Sequence, residues 1–232
     1  MISDTKVVAI GGGTGLSTML KGLKLHTHNI TAVVTVADDG GSSGILRSDL
    51  GMLAPGDVRN CVSALAEVDP VMGELLNFRF KDGSLKGHSL GNLFLAALNE
   101  TSSSFDEAVK KFSHLTGVVG TVYPVTNESV TLSALLEDGR LIEGESHIGV
   151  HHDGPKNGIV KLMVNPEKPK AVDGVIKALE KADIIVLGPG SLYTSIIPNL
   201  LVDGVVDAIK KSNAVKIYVC NIMSQAGETE NY

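Results

Sequence analysis

The sequence predicts an α/β protein with a Rossmann-like, doubly wound and mainly parallel sheet. Short apolar runs, typical of buried parallel strands, alternate with helical patterns along the chain. Each run passes directly into a loop rich in glycine and small polar residues. We expect a single domain over residues 1–232, with a helical region at about 54–116 and a β-hairpin insertion at about 118–164.

The first half of the sheet is predicted from two apolar runs. KVVAI (6–10) is typical of a buried strand and ends in GGGTG, where Thr14 is a candidate cap for a helix at about 15–24. ITAVVTV (30–36) predicts a second strand and leads into ADDGGSSG. This order of strand, glycine loop, helix and strand is typical of the first unit of a doubly wound sheet.

The middle of the chain carries helix and hairpin signals. Asp69 and Ser104 stand where N-caps of two helices are expected. The segment 130–144 contains two strand-like runs joined at Asp138 and a glycine, which predicts a β-hairpin. GIVKLMV (158–164) predicts a further strand.

The parallel pattern then resumes. A helix is predicted over 171–182, followed by the strand of DIIVLGPGS, a helix after Pro198 and a last strand at 214–221. The chain ends in the polar loop NIMSQAGETENY. Because such a loop after a core strand normally leads into another helix, we expect the chain to be truncated at its C-terminus.

Composition excludes several classes of function. The net charge is −6 without a run of Lys or Arg, which disfavours a broad nucleic-acid surface, and an aromatic content of 4% disfavours base stacking. No apolar stretch is long enough to cross a membrane. The two cysteines have neither zinc-ligand nor disulfide spacing, so we expect a cytoplasmic protein.

Four polar loops are expected to meet at one edge of the sheet. The predicted strands end at Ile10, Val36, Leu187 and Val219, and each runs into a Gly-, Ser-, Asn- or Asp-rich loop. The carboxyl ends of parallel strands lie along one edge, where ligands bind. Four such loops together predict a ligand site far better than a single glycine run does.

Glycine loops and helix starts can bind phosphate, whereas hydroxyl and amide groups suit sugars. Arg47, which follows the glycine loop after the second predicted strand, is expected to contact a ligand oxyanion through both of its terminal nitrogens. The candidate ligand contacts are Gly11, Gly12, Gly13, Thr14, Gly15, Asp39, Ser42, Ser43, Arg47, Asn60, His88, Asn92, Gly190, Ser191, Tyr193, Asn199 and Asn221.

Two neighbouring aspartates open the second loop. Strand alternation turns Asp38 and Asp39 to opposite sides, so one is expected to face the ligand and the other to cap the N–H groups of 40–43. The alternative is a turn that only closes the strand, with Arg47 paired to Asp49 on the surface.

Three other interpretations are weaker. GGGTG does not satisfy the GxGxxG dinucleotide fingerprint, which disfavours a nicotinamide enzyme with Asp38 on the ribose. GHSLG matches a nucleophile elbow around Ser89, but no strand is predicted before it. The HHD at 151–153 has no partner at metal-ligand spacing, so a solvated loop is expected there.

Taken together, the motifs are recognisable. GGGTGLSTML, VTVADDGGSSGILR, APGDVRNC, GHSLGNL, GPGSLYTSIIPNLL and NIMSQAGET resemble the bacterial gluconeogenesis factor family, which belongs to the superfamily of the 2-phospho-L-lactate transferase. The resemblance runs from residue 10 to the C-terminus, and ADDGGSSG is the form found in the bacterial branch.

The resemblance implies a cytosolic UDP-sugar-binding regulator linked to gluconeogenic growth and cell shape. In this hypothesis GGGTG takes the pyrophosphate, and ADDGGSSG with Arg47 takes sugar or phosphate oxygens. GPGSLYTS and Asn221 close the pocket. We also expect a homo-oligomer, no nucleic-acid partner and no membrane span.

The alternative is a metal-dependent transferase acting on a nucleotide diphosphate-linked donor. Asp38 or Asp39, together with Asp57, would then hold Mg²⁺ against a diphosphate, and Arg59 would stabilise the charge of the transferred group. A deazaflavin-like acceptor needs aromatic or apolar walls, and the chain has only five Phe and four Tyr. This favours binding over transfer without deciding whether the chain is an enzyme.

Overall fold

A computed structural model of the protein describes residues 3–148 and 158–229. No helix in these ranges is both long and apolar enough to cross a membrane. The strands within them are β1 Val7–Gly11, β2 Ile30–Val34, β3 Thr121–Pro124, β4 Thr131–Leu136, β5 Leu141–Glu143, β6 Ile159–Asn165, β7 Ile184–Leu187 and β8 Val215–Tyr218.

The helices lie between these strands, and a π-helical turn at Leu192–Ile196 precedes one of them. They are α1 Gly13–Leu23, α2 Gly41–Leu50, α3 Gly56–Leu65, α4 Pro70–Asn77, α5 Leu90–Glu100, α6 Phe105–Leu115, α7 Glu145–Ile148, α8 Asp173–Lys181, α9 Ile197–Leu200 and α10 Val205–Lys211.

The main sheet has five parallel strands in the order β3-β2-β1-β7-β8. Val7 of the central strand pairs with Ile30 on one side and with Ile184 on the other. Because the chain moves outward from β1 first in one direction and later in the other, the sheet is doubly wound. The predicted fold class is therefore confirmed.

Helices cover both faces of this sheet. On one face α1, α3, α5 and α6 bury large side chains such as Leu16, Leu65 and Phe112. On the other face α8 and α10 bury a smaller cluster that includes Val175 and Val205. Strands β1 and β2 are buried along most of their length, because a parallel sheet is covered from both sides.

A second, antiparallel sheet has the order β5-β4-β6. Its predicted hairpin turn is confirmed, and Gly139 adopts φ +85°, a conformation that favours glycine. Leu132 and Leu136 of β4 belong to the same buried cluster as α1 and α3. The small sheet therefore packs directly on the main domain.

The boundary of the predicted insertion needs correction. Residues 118–164 were expected to form one insertion, yet β3 lies in the main sheet and pairs in parallel with β2. Its four residues alternate between half-buried and buried positions, as β4 of the small sheet also alternates, so this pattern does not distinguish a main-sheet strand from a hairpin strand. The HHD segment at 151–153 lies outside the described residues.

Helix starts agree with the sequence where a side chain caps them. Asp69 accepts the N–H of Val71 at 2.9 Å, and Ser104 accepts the N–H of Glu107 at 3.4 Å. The predicted cap Thr14 is wrong, because α1 begins two residues earlier than expected and its N-cap is a glycine without a side-chain hydrogen bond.

Candidate functional site

The carboxyl ends of β1, β2, β7 and β8 lie at one edge of the main sheet, as predicted. The chain leaves β1 toward β2 in the first half and returns to β7 on the opposite side. Strand order therefore reverses beside β1, and the crevice at such a reversal is where open α/β sheets bind ligands. The loops after β1, β2 and β7 border this crevice.

Close approach of the backbone explains the glycines of the first loop. A Cβ atom on Gly12 would lie 2.5 Å from Thr35 Cγ2 and 2.8 Å from Asp57 Oδ2. A Cβ atom on Gly15 would lie 2.4 Å from the carbonyl oxygen of Pro189. The loops after β1, β2 and β7 thus pack against one another through glycine, as a ligand site at the strand ends requires.

The second loop places the start of α2 beside the start of α3. The N-cap of α2 is Gly40, again without a side-chain hydrogen bond. Ser43 Oγ accepts the N–H of Gly56, the first residue of α3, at 3.2 Å. Since Asp57 of α3 also lies against Gly12, the N-termini of α1, α2 and α3 meet in one crevice.

The two aspartates point in different directions, and one of them caps the turn as predicted, whereas the ligand contact predicted at Asp39 is corrected. Asp38 accepts the N–H of Gly40 at 2.9 Å, so it forms the turn. Both oxygens of Asp39 hold the start of α7, accepting the N–H groups of Glu145 at 3.0 Å and Ser146 at 2.8 Å. Asp39 therefore attaches the second sheet to the main domain and is no longer proposed as a ligand contact.

Arg47 also has a structural role instead of the predicted one. Its Nη1 donates to the carbonyl oxygens of Ala37 at 3.2 Å and Asp38 at 3.1 Å, and its Nη2 donates to that of Val130 at 2.8 Å. No ion pair with Asp49 forms. The guanidinium therefore links α2 to the second loop and to the residue that precedes β4.

A buried polar network connects α2, α3 and α5. Ser42 Oγ lies 2.9 Å from His88 Nδ1 and accepts a hydrogen bond from Asn92 Nδ2 at 3.1 Å. Asn92 Oδ1 in turn accepts from Arg59 Nε at 3.3 Å. These four side chains are each less than a tenth exposed. The structure therefore brings Ser42, His88, Asn92 and Arg59 together, although they are distant in sequence.

Ser89 is the N-cap of α5 and does not form a nucleophile elbow. Its Oγ accepts the N–H of Asn92 at 3.2 Å, and the residue is 1% exposed. The segment before it forms only an isolated bridge between Arg79 and Ser89 instead of a buried strand. A hydrolase that uses Ser89 lacks the required geometry.

Carboxylates in the crevice have raised pKa values. Burial and the nearby Asp38 raise the pKa of Asp57 to about 6, against the opposing effects of the Gly13 N–H and Arg59. Burial and the charges of Asp38, Asp39 and Asp57 raise the pKa of Glu145 to about 7, opposed by the Thr194 hydroxyl. The insertion therefore adds an acidic group to the site that the sequence had not indicated.

The predicted Mg²⁺ site, in which two carboxylates hold the ion against a diphosphate, stays a prediction. Across the described ranges, no three His, Cys, Asp or Glu side chains form a group that could hold a metal ion. Asp38 and Asp57 do lie close enough for their charges to interact. Mg²⁺ commonly takes one or two carboxylates and completes its shell with phosphate oxygens and water. This donor set fits Mg²⁺ only together with a bound phosphate.

The loop after β7 is already occupied by a carboxylate from the C-terminal segment. Glu228 accepts the N–H of Tyr193 at 3.1 Å and the hydroxyl of Thr194 at 3.3 Å, and it is 7% exposed. Ser191 Oγ accepts from Gln225 at 2.7 Å. Burial raises the pKa of Glu228, opposed by these hydrogen bonds. Ser191 and Tyr193 therefore bind residues of this chain's own C-terminal segment.

The predicted asparagine contacts have different outcomes. Asn199 is fully buried and donates to the carbonyl oxygens of Gly11 at 3.2 Å and Ser195 at 2.9 Å, so it braces the end of β1 instead of touching a ligand. Asn221 donates to the carbonyl oxygen of Gly190 at 3.0 Å and positions that loop. Asn60, half-buried in α3, makes no side-chain hydrogen bond to a described residue and stays a candidate contact.

A cavity of about 250 Å³ lies beside the β7 loop, at the ends of β7 and β8. It is lined mainly by apolar surface from Leu192 and Tyr218, with the amides of Asn221 and Gln225 at its polar side. Gly190, which lines the cavity, also lies against the first glycine loop, because a Cβ atom there would lie 3.7 Å from the Gly12 carbonyl oxygen.

Sequence reasoning missed Glu145 and Glu228, whose contacts span long stretches of the chain, and Asn77, which binds Arg59. No local sequence pattern indicates a role for Glu145 or Asn77. For Glu228, the only signal is an acidic residue in the polar loop that follows β8.

Comparison with known proteins agrees with this architecture. The family described as 2-phospho-L-lactate transferase CofD matches residues 7–232. A protein of Thermoanaerobacterium thermosulfurigenes named "Putative gluconeogenesis factor" is 58% identical over 231 residues, covering 100% of this chain and 72% of the relative. A Clostridium acetobutylicum protein of the same name is 54% identical, and the chain spans 51% of its length.

Further matches extend the comparison to three dimensions. The gluconeogenesis factor of Bacillus subtilis is 47% identical over 230 residues, covering 98% of this chain and 71% of that protein. A crystal structure of a Bacillus halodurans protein superposes with a TM-score of 0.95 at 47% identity, covering 99% of this chain and 73% of that one. The chain therefore belongs to the 2-phospho-L-lactate transferase CofD family, alongside the bacterial gluconeogenesis factors.

Proposed function

We propose that this chain binds a nucleotide sugar of the UDP type and acts as a regulator of growth on gluconeogenic carbon sources and of cell shape. One observation carries the binding proposal. The helices α1 and α2 follow neighbouring strands, and both start at the crevice with a glycine N-cap and no acidic residue in the first turn.

Helix starts of this kind favour an anionic ligand. The first N–H groups of a helix have no partner inside it, and they carry the positive end of the helix dipole. Among the described helices of eight or more residues, the others begin with a side-chain cap or an acidic first turn. A diphosphate at α1 and α2 would supply the missing negative charge.

The surroundings orient the rest of such a ligand. The cavity beside Gly190 has apolar walls with two amides, which suits a nucleoside, and Gly190 itself lies against the first glycine loop. On the other side, Asp38 and Glu145 present carboxylate oxygens that can accept hydrogen bonds from sugar hydroxyls. The sugar would therefore lie between the second loop and α7.

The regulatory part of the proposal rests on the relatives. Proteins named gluconeogenesis factor match nearly the whole of this chain, although the chain spans between about half and three quarters of their length. Their name connects them to carbon-source use. The proposal extends that connection to this chain, which those proteins match over nearly its whole length.

A second candidate is an Mg²⁺-dependent transferase of the 2-phospho-L-lactate type. The carboxylates of Asp38, Asp57 and Glu145 favour it, since the charge of Asp38 raises the pKa of both Asp57 and Glu145 and the three groups therefore lie near one another. When bound, Mg²⁺ would neutralise phosphate charge. Asp38 and Asp57 would hold it, and Arg59 would stabilise negative charge from α3.

A thermal-shift panel separates these candidates. The protein is tested with UDP-glucose, UDP-N-acetylglucosamine, GDP, NAD and NADP, each with and without Mg²⁺. A ligand present at 100 times its Kd adds about 2.7 kcal/mol of stability. We expect this response to a UDP-sugar without Mg²⁺.

The outcomes are distinct. A response to GDP that requires Mg²⁺ would favour the transferase. The absence of a shift with either UDP-sugar would contradict the nucleotide-sugar proposal, and isothermal titration of the same samples would check that the ligand stays unbound.

A further inference from the structure

Arg59 is a buried cation without a carboxylate partner. The residue is 7% exposed, and its side chain packs on α5 so closely that a Cβ atom on Gly91 would lie 3.0 Å from Arg59 Cδ. The ion pairs among the described residues are Lys111–Glu107 and Arg140–Asp138, so no carboxylate reaches Arg59 within 4.0 Å. A buried charge is costly unless it is paired.

Only neutral amides contact the guanidinium. Arg59 Nη1 donates to Asn77 Oδ1 at 2.8 Å, and Nε donates to Asn92 Oδ1 at 3.3 Å. Nη2 makes no hydrogen bond to a described residue. Asn92 cannot turn away, because its other amide atom holds Ser42. The guanidinium is thus fixed in direction and has unused donors.

A second guanidinium stands nearby. Arg79 is exposed, and its Nη1 donates to the carbonyl oxygen of Gly87. Burial and the charge of Arg79 lower the pKa of Arg59, and the charge of Asp57 opposes this. Since Asn77 and Arg79 are both exposed, this group of side chains opens to solvent. We call Arg59, Asn77, Arg79 and Asn92 the arginine seat.

We propose that the arginine seat is a binding site for a phosphate group. Two guanidinium groups in a chain of net charge −6 would gain charge-assisted hydrogen bonds from a phosphate, which supplies the missing countercharge. The site lies between α3, α4 and α5, so it is additional to the proposed diphosphate position at α1 and α2.

The seat can be tested without unfolding the protein by placing a carboxylate on its exposed side. In Asn77→Asp, the new carboxylate would replace the amide oxygen that accepts from Arg59 Nη1, and it would supply the countercharge that a phosphate otherwise brings. Arg59→Gln removes the cation itself. The matched control is Arg140→Gln, which removes an arginine from an exposed ion pair on the hairpin.

The four proteins are titrated with inorganic phosphate and followed by phosphorus NMR, and their melting temperatures are recorded. We expect Asn77→Asp to bind one equivalent of phosphate fewer than the wild type and to melt at a higher temperature. Arg59→Gln loses the same equivalent, and Arg140→Gln behaves like the wild type. An unchanged number of equivalents in Asn77→Asp, or no phosphate binding by the wild type, would overturn the proposal.

A parallel titration with UDP-glucose separates this inference from the proposed function. If Asn77→Asp also weakens UDP-glucose, the seat holds a phosphate of that ligand; if it does not, the seat holds the phosphate of another molecule. A wild type that binds one equivalent of phosphate more than Asn77→Asp, but no UDP-sugar, would contradict the nucleotide-sugar proposal and would support the seat.

Discussion

The helices around the crevice begin differently from those on the outer part of the domain. Helices α4, α5 and α6 start with Asp69, Ser89 and Ser104, whose side chains accept hydrogen bonds from first-turn N–H groups. Helices α1 and α2 start with Gly12 and Gly40, which provide no such acceptor. The scaffold helices carry their own caps, whereas at the site the Gly13 N–H bonds to Asp57 of α3 and no N-cap side chain takes a first-turn N–H group.

The charges of the two regions differ in the same way. On the outside, Glu107 of α6 forms an ion pair with Lys111 at 3.0 Å. In the crevice, Asp57 and Glu145 face other carboxylates, and their pKa values are raised. Functional sites commonly hold ionisable groups whose pKa values are shifted by their surroundings. We therefore expect substitutions in the crevice and substitutions on the scaffold to differ in their effects on stability, on its pH dependence and on ligand affinity.

The largest effect is expected at the first glycine loop. Gly12→Ala should lower the free energy of unfolding by about 2–3 kcal/mol, because the new Cβ overlaps Thr35 and Asp57. Urea denaturation measures it. The matched control is Gly22→Ala in the same helix, where a Cβ meets no atom within 4 Å and should stabilise by about 0.5–1 kcal/mol. Equal changes in the free energy of unfolding for Gly12→Ala and Gly22→Ala would contradict the close packing described at Gly12.

A pH-dependent effect is expected from Asp57. Because its folded pKa is raised to about 6, the folded protein holds this proton more firmly than the unfolded chain, whose pKa is near 3.8. The stability that this group contributes is present below the unfolded pKa and is lost as the pH rises to about 6. Asp57→Asn should therefore stabilise the protein above pH 6 by on the order of 2 kcal/mol.

Thermal unfolding of the wild type and Asp57→Asn across this range measures the difference. At the acid end of the range, where Asp57 is protonated in both states, the two proteins should have nearly the same stability. A constant difference at every pH would mean that the carboxyl group does not titrate as described.

A smaller effect is expected on the scaffold. Ser104→Ala removes the cap of α6 and should lower the free energy of unfolding by about 1 kcal/mol. Ligand affinity should stay unchanged, since α6 begins away from the crevice. Ser48→Ala is the control, because that hydroxyl bonds within α2 and caps no helix. A loss of ligand affinity in Ser104→Ala would break the division between scaffold and site.

Local sequence patterns predicted the features that depend on local interactions. The main-sheet strands β1, β2, β7 and β8, the caps Asp69 and Ser104 and the hairpin at Gly139 follow from periodicity, capping and turn chemistry. The short strand β3 was misplaced, because its four residues join the main sheet only through pairing with β2.

The site was predicted in position but not in detail. Polar loops at strand ends identified the crevice, since parallel strands share an edge. The roles of Asp39 and Arg47 depend on contacts with residues 145 and 130, which lie far along the chain. Glu228 reaches Tyr193 across a shorter separation of 35 residues. No local pattern encodes such contacts, so these side chains could be assigned only in three dimensions.

The most direct test of the comparison is a single charge at the start of α1. Thr14 is exposed in the first turn, and Thr14→Asp would supply the acidic residue that this helix lacks. An aspartate there suits the helix dipole by about 0.3–1 kcal/mol, so the variant should fold. Thr14→Asn is the neutral control.

Isothermal titration with UDP-glucose is carried out on the wild type and both variants. The account predicts that Thr14→Asp weakens binding by about tenfold or more, because the carboxylate repels the diphosphate, whereas Thr14→Asn binds like the wild type. Equal affinities in Thr14→Asp and Thr14→Asn would contradict the claim that the start of α1 holds the anionic part of the ligand.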